Sequence, residues 1–125
     1  HSHYLTLYAQ ETYMTAKETY QYLIQKYDLK EFDALGIAVP KSNQIQFSGY
    51  LISFDNDENN IKVAQDIDYE QAHIYFCYSY TYKPEDVAII EKQIDYVLER
   101  VNHKEKILKQ LNNDKQIEEL NKDFS

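Results

Sequence analysis

The chain has 125 residues, of which 43% are hydrophobic and 27% are charged, so it fits one folded domain rather than a disordered segment. Its formal net charge of −8 disfavours binding to nucleic-acid phosphates and anionic membranes, and favours a basic protein partner. Cys77 is the only cysteine, which excludes an internal disulfide, and no aliphatic run approaches the length of a membrane span. We therefore expect a single domain over residues 1–125, with a cytoplasmic location.

The N-terminal segment allows two interpretations. Residues 4–9, YLTLYA, alternate in the manner of a strand, but Leu5, Tyr8 and Thr12 also keep helical spacing. The opening HSH is typical of a cloning remnant and leaves open whether an upstream segment has been removed.

The first clear element is a helix that is predicted by a capping box. Thr15 precedes Glu18 by three residues, so its hydroxyl can accept from the Glu18 amide while the Glu18 carboxylate reaches back. Helical spacing then continues through the positions Ala16, Tyr20, Leu23, Ile24 and Tyr27. These features predict a helix over residues 16–28.

Alternating side chains predict the strands, which are residues 32–40, 44–54, 61–67 and 73–82. Within residues 44–54 the apolar side chains shift from one strand face to the other at Gly49. This shift predicts a β-bulge in a continuous strand. The polar segment DNDENN at 55–60 predicts the turn of a hairpin.

The C-terminal third of the chain is predicted to be helical. Pro84 ends the last strand and starts a helix over 85–111, whose apolar seam is Val87, Ile90, Ile94, Val97, Val101, Leu108 and Leu111. The sequence NND at 112–114 predicts a break before a short helix over 115–123. The predicted fold class is α+β, with an antiparallel sheet of four or five strands covered by the N-terminal helix and the long C-terminal helix.

The stretch HIYFCYSYTY at 73–82 is unusually rich in tyrosine. Strand alternation places the apolar and aromatic residues on one face, namely Ile74, Phe76, Tyr78, Tyr80 and Tyr82. The favoured interpretation is that this face packs beneath the long helix. The alternative is that Tyr78, Tyr80 and Tyr82 are partly exposed and contact a partner protein, because tyrosine is enriched at protein interfaces. A stacking platform for single-stranded nucleic acid is disfavoured, because it needs a positive groove beside the aromatic rings.

Residues 55–66 match part of a calcium-binding loop. Asp55, Asp57, Asn59 and Asp66 stand at its first, third, fifth and twelfth positions. However, Asn60 occupies the position of the usual turn glycine, and the flanking residues have the pattern of strands rather than helices. We therefore interpret the segment as a polar hairpin loop and expect no metal site here.

No catalytic motif is present in the sequence. His73 and Cys77 share a predicted strand face, but four strand residues separate them by about 13 Å, which is too far for one metal ion. The chain has no glycine-rich phosphate loop and no nucleophile elbow. We therefore expect no catalytic residue and no cofactor.

The apolar seam of the long helix has two interpretations. It can cover the sheet, or it can pair with a second copy, because its repeat is closer to 3.5 than to 3.6 residues. Both can hold together if the proximal half of the helix packs on the sheet and the distal half pairs. The predicted interface residues of such a homodimer are Val97, Val101, Leu108 and Leu111.

The sequence favours a small acidic protein-binding module without catalysis. Exposed tyrosines would anchor a basic partner, and Asp55, Asp57 and Glu58 would form an acidic rim around them. Abundant Lys, Asn, Ile and Tyr beside a single arginine are typical of AT-rich genes and favour a bacterial or phage inhibitor or immunity-type protein. The alternative is a structural homo-oligomer assembled through the long helix.

Overall fold

Residues 14–123, the part of the chain that the computed structural model describes, form an α+β fold with six strands, two α-helices and one 3-10 turn at Pro84–Asp86. The elements are α1 (Ala16–Tyr27), β1 (Leu29–Phe32), β2 (Ile37–Pro40), β3 (Gln46–Ser48), β4 (Ile52–Asp55), β5 (Asn60–Glu70), β6 (His73–Tyr82) and α2 (Val87–Asp123). The predictions for residues 4–9 lie outside the described residues.

The predicted capping box is present at the start of α1. The Thr15 hydroxyl accepts from the Glu18 amide at 3.2 Å, and the Glu18 carboxylate accepts from the Thr15 amide at 3.1 Å. The helix ends at Asp28, whose left-handed backbone, with a φ of 51°, turns the chain into β1. The predicted helix over 16–28 is therefore confirmed to within one residue.

Only residues 37–40 of the predicted strand over 32–40 form a single strand, because the residues before them belong to the first strand and the turn of a hairpin. The strands β1 and β2 pair antiparallel, and a tight turn at residues 33–36 joins them. Gly36 allows this turn with a φ of 63°, and its amide donates to the Phe32 carbonyl at 3.1 Å. Leu35, which supported the predicted alternation, is an exposed turn residue.

The predicted bulged strand over 44–54 is also wrong. The strand β3 pairs with β6 at one edge of the sheet, whereas β4 lies between β2 and β5. Gly49, with a φ of 81°, is where the chain leaves β3, and a Cβ there would lie 3.4 Å from the Phe76 carbonyl oxygen. The apolar residues change from one strand face to the other at Gly49 because the chain crosses there from β3, at the edge of the sheet, to β4, between β2 and β5.

The six strands form one mixed sheet in the order β1-β2-β4-β5-β6-β3. Four of the five strand pairs are antiparallel, and only the pair of β3 with β6 is parallel. The sequence analysis did not separate the edge strands β1 and β3 and missed the parallel pairing of β3, because these two strands are only four and three residues long. The α+β class, the N-terminal helix and the long C-terminal helix agree with the prediction.

The helix α2 runs without a break for 37 residues, or about 55 Å. The predicted interruption at 112–114 is wrong, because neither proline nor glycine occurs there and Gln110 donates to Asp114 at 3.0 Å across one turn. Its first half carries the fully buried Ile90, Ile94 and Val97, whereas residues 109–122 are all exposed. The distal half of α2 therefore extends beyond the sheet.

Polar contacts join α1 to α2. Glu91 on α2 forms an ion pair with Lys26 and accepts a hydrogen bond from the Tyr22 hydroxyl at 2.9 Å. The Lys26 ammonium lowers the pKa of the Glu91 carboxyl, and the Tyr22 hydrogen bond lowers it further. The Tyr27 hydroxyl donates to the Asp95 carboxylate at 2.9 Å, which holds the end of α1 beside α2.

The pairing of β5 with β6 is interrupted at one level. Paired residues run from Ile61 and Tyr82 to Glu70 and His73, but Gln65 and Tyr78 are absent from the ladder. At this level the Gln93 side chain of α2 donates to the carbonyl oxygens of Ala64 and Gln65, each at 2.9 Å. Gln93 therefore satisfies backbone acceptors beside the interruption and ties the helix to the sheet.

Replacing Gln93 with alanine is expected to lower the free energy of unfolding by about 2 kcal/mol, because two partly buried carbonyls lose their donor. The matched control is Lys92→Ala, an exposed neighbour on the same helix, which should change stability by less than about 0.5 kcal/mol. Urea denaturation of the three proteins measures both values. Equal losses in the two variants would contradict the assigned role of Gln93.

Candidate partner-binding surface

The tyrosine-rich strand β6 is buried at one end and exposed at the other. Ile74 is fully buried, and the Phe76 ring stacks on Phe47 at 5.6 Å. In contrast, Tyr78 is 85% exposed and Tyr80 is 46% exposed. The structure thus places the first residues of the predicted face in the core and leaves the middle of the strand open to solvent.

Tyr78 has an unusual backbone for a strand residue. Its φ is +57°, in the left-handed region that glycine occupies easily and that costs other residues about 1–2 kcal/mol. Within residues 14–123 its side chain has no hydrogen bond and no ring contact to offset this strain. Folding alone therefore gives no reason for a large aromatic residue at this position.

Tyr80 and Tyr82 continue the exposed aromatic surface toward the end of the strand. Their rings meet edge to face, with centroids 6.2 Å apart. Tyr82 is half-buried, and burial is the main reason that its pKa is raised. Its phenol therefore stays protonated and uncharged at neutral pH.

The acidic turn lies beside the same end of β6. The register of the sheet pairs Ile61 with Tyr82, and the next residue, Asn60, pairs with Asp55. The turn between β4 and β5 therefore lies beside Tyr82. The Asp55 carboxylate accepts from the backbone amide of Asp57 at 2.9 Å and also from that of Glu58, so it mainly stabilises the turn.

The turn is also attached to α1. Asn59, with a φ of 50°, accepts from the backbone amide of Ala16 at 2.9 Å and so caps the helix. Asp57 and Glu58 remain exposed on this anchored turn. We call the surface formed by Tyr78, Tyr80, Tyr82, Asp57 and Glu58 the tyrosine–acid strip.

A small pocket lies at the end of the strip. It has a volume of about 390 Å³, and its lining includes Glu58, Asn60, Tyr82, Pro84 and Glu85. Of these five residues, the sequence analysis predicted only Glu58 and Tyr82 to contact a partner. The hairpin pairing of β5 with β6 could have predicted this pocket, because it brings the turn before β5 next to Lys83 and Pro84 after β6.

The residues predicted for a helix-mediated dimer divide into two groups. Val97 and Val101 are buried in the core of the domain, and Leu108 packs against that core. This corrects the prediction that Val97 and Val101 form an interface between copies, because a second copy cannot reach them. Only Leu111 is exposed, and Leu120 lies about 180° around the helix from it, so the distal half has no single seam.

His73 belongs to a small polar cluster at the other end of β6. Its Nε2 lies 2.6 Å from the Ser48 hydroxyl, and its ring stacks on Tyr75 at 4.2 Å. Within residues 14–123 no group of three or more His, Cys, Asp or Glu side chains could hold a metal ion. Neither Ser48 nor His73 lines the pocket at the end of the strip or the groove along α2.

A larger groove of about 880 Å³ follows α2 and reaches Tyr69 on β5. Two of its cations are already engaged, because Arg100 pairs with Asp66 at 2.6 Å and the Lys104 ammonium lies 4.1 Å from the Tyr69 ring centre, whereas Lys106 also lines the groove. Both signs of charge line this groove, so it is a weaker candidate than the tyrosine–acid strip.

No protein-family model matches the chain, no curated protein is significantly similar to it, and no solved structure matches it. Among the described residues, no helix combines the length and the apolar character that crossing a membrane requires. The functional argument therefore rests on the tyrosine–acid strip alone.

The strain at Tyr78 can be tested by comparing two substitutions. Tyr78→Gly is expected to be more stable than Tyr78→Ala by about 1 kcal/mol, because glycine adopts a positive φ without steric cost. The matched control uses Tyr75, a strand residue that is not in the left-handed region, where the glycine variant should be the less stable of the two. Urea denaturation gives the four values, and the same order at both positions would contradict the assigned strain.

Proposed function

We propose that this protein binds a basic partner protein through the tyrosine–acid strip and that it has no catalytic activity. The observation that supports this most strongly is Tyr78, a large aromatic side chain that is 85% exposed on a strained backbone in the middle of a strand. Strain of this kind clusters at functional sites. A side chain that folding does not need is best explained by a contact outside the domain.

The composition of the strip fits a binding site. Tyrosine offers a large contact area at low entropic cost and is enriched among the residues that dominate binding energies. The neighbouring carboxylates of Asp57 and Glu58 supply an acidic rim, and the chain as a whole carries a net charge of −8. This combination steers a partner with a positive surface toward the strip.

The proposed mechanism is occlusion. The exposed tyrosines anchor the chain on its partner, and the acidic rim covers a basic site that could otherwise hold nucleic acid. This is the role of an inhibitor or of an immunity-type protein, of bacterial or phage origin, acting in the cytoplasm. It requires neither a cofactor nor a metal ion.

The alternative is a homo-oligomer assembled through α2. Such an interface would have to use the exposed Leu111, Ile117 and Leu120 on the distal half of the helix. These residues are spread around the helix rather than aligned along one face, so we favour the first proposal.

The experiment is native mass spectrometry of the tagged protein recovered from its source cells. The wild type should carry a stoichiometric basic protein, and the variant Tyr78→Ala/Tyr80→Ala should retain it at least about 30-fold more weakly, because central tyrosines commonly contribute 2 kcal/mol or more. The matched control is Tyr96→Ala, because Tyr96 is exposed to a similar degree as Tyr80 but lies on α2.

Circular dichroism of each variant confirms that the fold persists. Equal retention of the partner by the double variant and the wild type would contradict the proposal. A spectrum that shows only copies of this chain would favour the homo-oligomer instead.

A further inference from the structure

We propose that the partner protein adds a basic, extended segment as a further strand along the exposed half of β6. This inference rests on the proposed function and identifies the form in which the partner binds. Strand addition to an open sheet edge is a recurrent mode of peptide recognition, in which backbone hydrogen bonds supply affinity and the flanking side chains supply specificity.

The first argument is that the second half of β6 has a neighbouring strand on one side only. β5 pairs with nearly the whole of β6, whereas β3 pairs only with its first three residues, from His73 to Tyr75. The chain then leaves β3 at Gly49, beside Phe76. Among the described residues, no strand lies on this side of residues 77–82, which we call the free edge. Its outward backbone N–H and C=O groups can therefore pair with an added strand.

The second argument is that the free edge lacks the charges and the short length that protect other sheet edges from pairing with another chain. β1 is four residues long and carries Lys30 and Glu31, and β3 is only three residues long. The free edge has six residues, CYSYTY, with neither a charged side chain nor a proline. The left-handed backbone of Tyr78 bends one end of it, which leaves residues 79–82 as regular strand.

The third argument is that the free edge is open to solvent. Tyr78, Tyr80 and Thr81 are all exposed. The Ser79 carbonyl accepts one long hydrogen bond, of 3.5 Å, from the Gln65 side chain. An added strand would place its own side chains beside those of the free edge as cross-strand neighbours, and such pairs stabilise a sheet most when aromatic residues take part.

Charge favours a basic segment over a second copy of this chain. Carboxylates outnumber cations around the end of the free edge, with Asp55, Asp57, Glu58 and Glu85 against Lys62 and Lys83. Two copies, each with a net charge of −8, would repel each other as their free edges approach. A segment rich in lysine or arginine is instead attracted, and its aliphatic stems can lie against the Tyr80 and Tyr82 rings.

The test is an NMR titration of the ¹⁵N-labelled chain with the hexapeptide acetyl-KVKVKV-amide, added to millimolar concentration. The amide signals of residues 77–82 should shift in a saturable manner. Every second amide among them should exchange with solvent more slowly, because the amides of successive strand residues point to opposite edges. The signals of β1, the short and charged edge, serve as the internal control and should not shift.

Two peptide analogues separate backbone pairing from charge. N-methylation of the two central amides, one on each edge of the peptide, keeps its side chains and charge but removes backbone donors, and should weaken binding about tenfold or more. The analogue acetyl-EVEVEV-amide keeps the backbone but reverses the charge, and it should weaken binding to a similar degree. Equal binding of the N-methylated peptide would overturn strand addition, and equal binding of the acidic peptide would overturn the choice of a basic segment.

The outcomes also separate this inference from the proposed function. Peptide binding at the free edge without any captured partner would support strand addition and contradict the proposed function. Capture of a partner that depends on Tyr78 and Tyr80, with no peptide-induced shifts at the free edge, would overturn strand addition and leave the proposed function standing. Shifts at the free edge that follow the concentration of the chain alone would assign this edge to a second copy and overturn the inference.

Discussion

The pairing of β5 with β6 is the constraint on which the rest of the structure depends. These two strands are the longest in the sheet, and their register sets the position of both neighbouring strands. The same register brings the acidic turn before β5 next to Tyr82 at the end of β6. At the one level where the ladder is interrupted, Gln93 of α2 donates to the carbonyl oxygens of Ala64 and Gln65, and Tyr78 is exposed to solvent. A single pairing thus organises the sheet, the contact with the helix and the candidate surface.

The stability of the domain and its proposed function use different parts of the same strand. Ile74 and Phe76 pack in or against the core and contribute to folding through burial of apolar surface. Tyr78 gains no such burial and occupies a backbone conformation that is unfavourable for any residue except glycine. Positions where local preference and global fold disagree are expected at functional sites, which is why the strip is the best candidate for binding.

Strong local signals in the sequence were enough to predict part of the fold. The capping box at Thr15 located α1, and the alternation at 73–82 located β6, because both depend on interactions between residues close in sequence. The hairpin turn at Gly36 and the crossing at Gly49 were missed, because alternation alone cannot show which strand a residue pairs with. The exposed tyrosines were named, but their exposure depends on the interrupted ladder and on how much of β6 the helices cover, which are tertiary properties.

The central claim is that Tyr78 touches a partner protein, and site-specific photo-crosslinking tests it most directly. A benzoylphenylalanine side chain replaces Tyr78 in one protein and Tyr96, an exposed tyrosine on α2, in another. The account predicts that irradiation in the source cells links position 78, but not position 96, to one basic protein. Links of equal yield from both positions, or none from position 78, would contradict it.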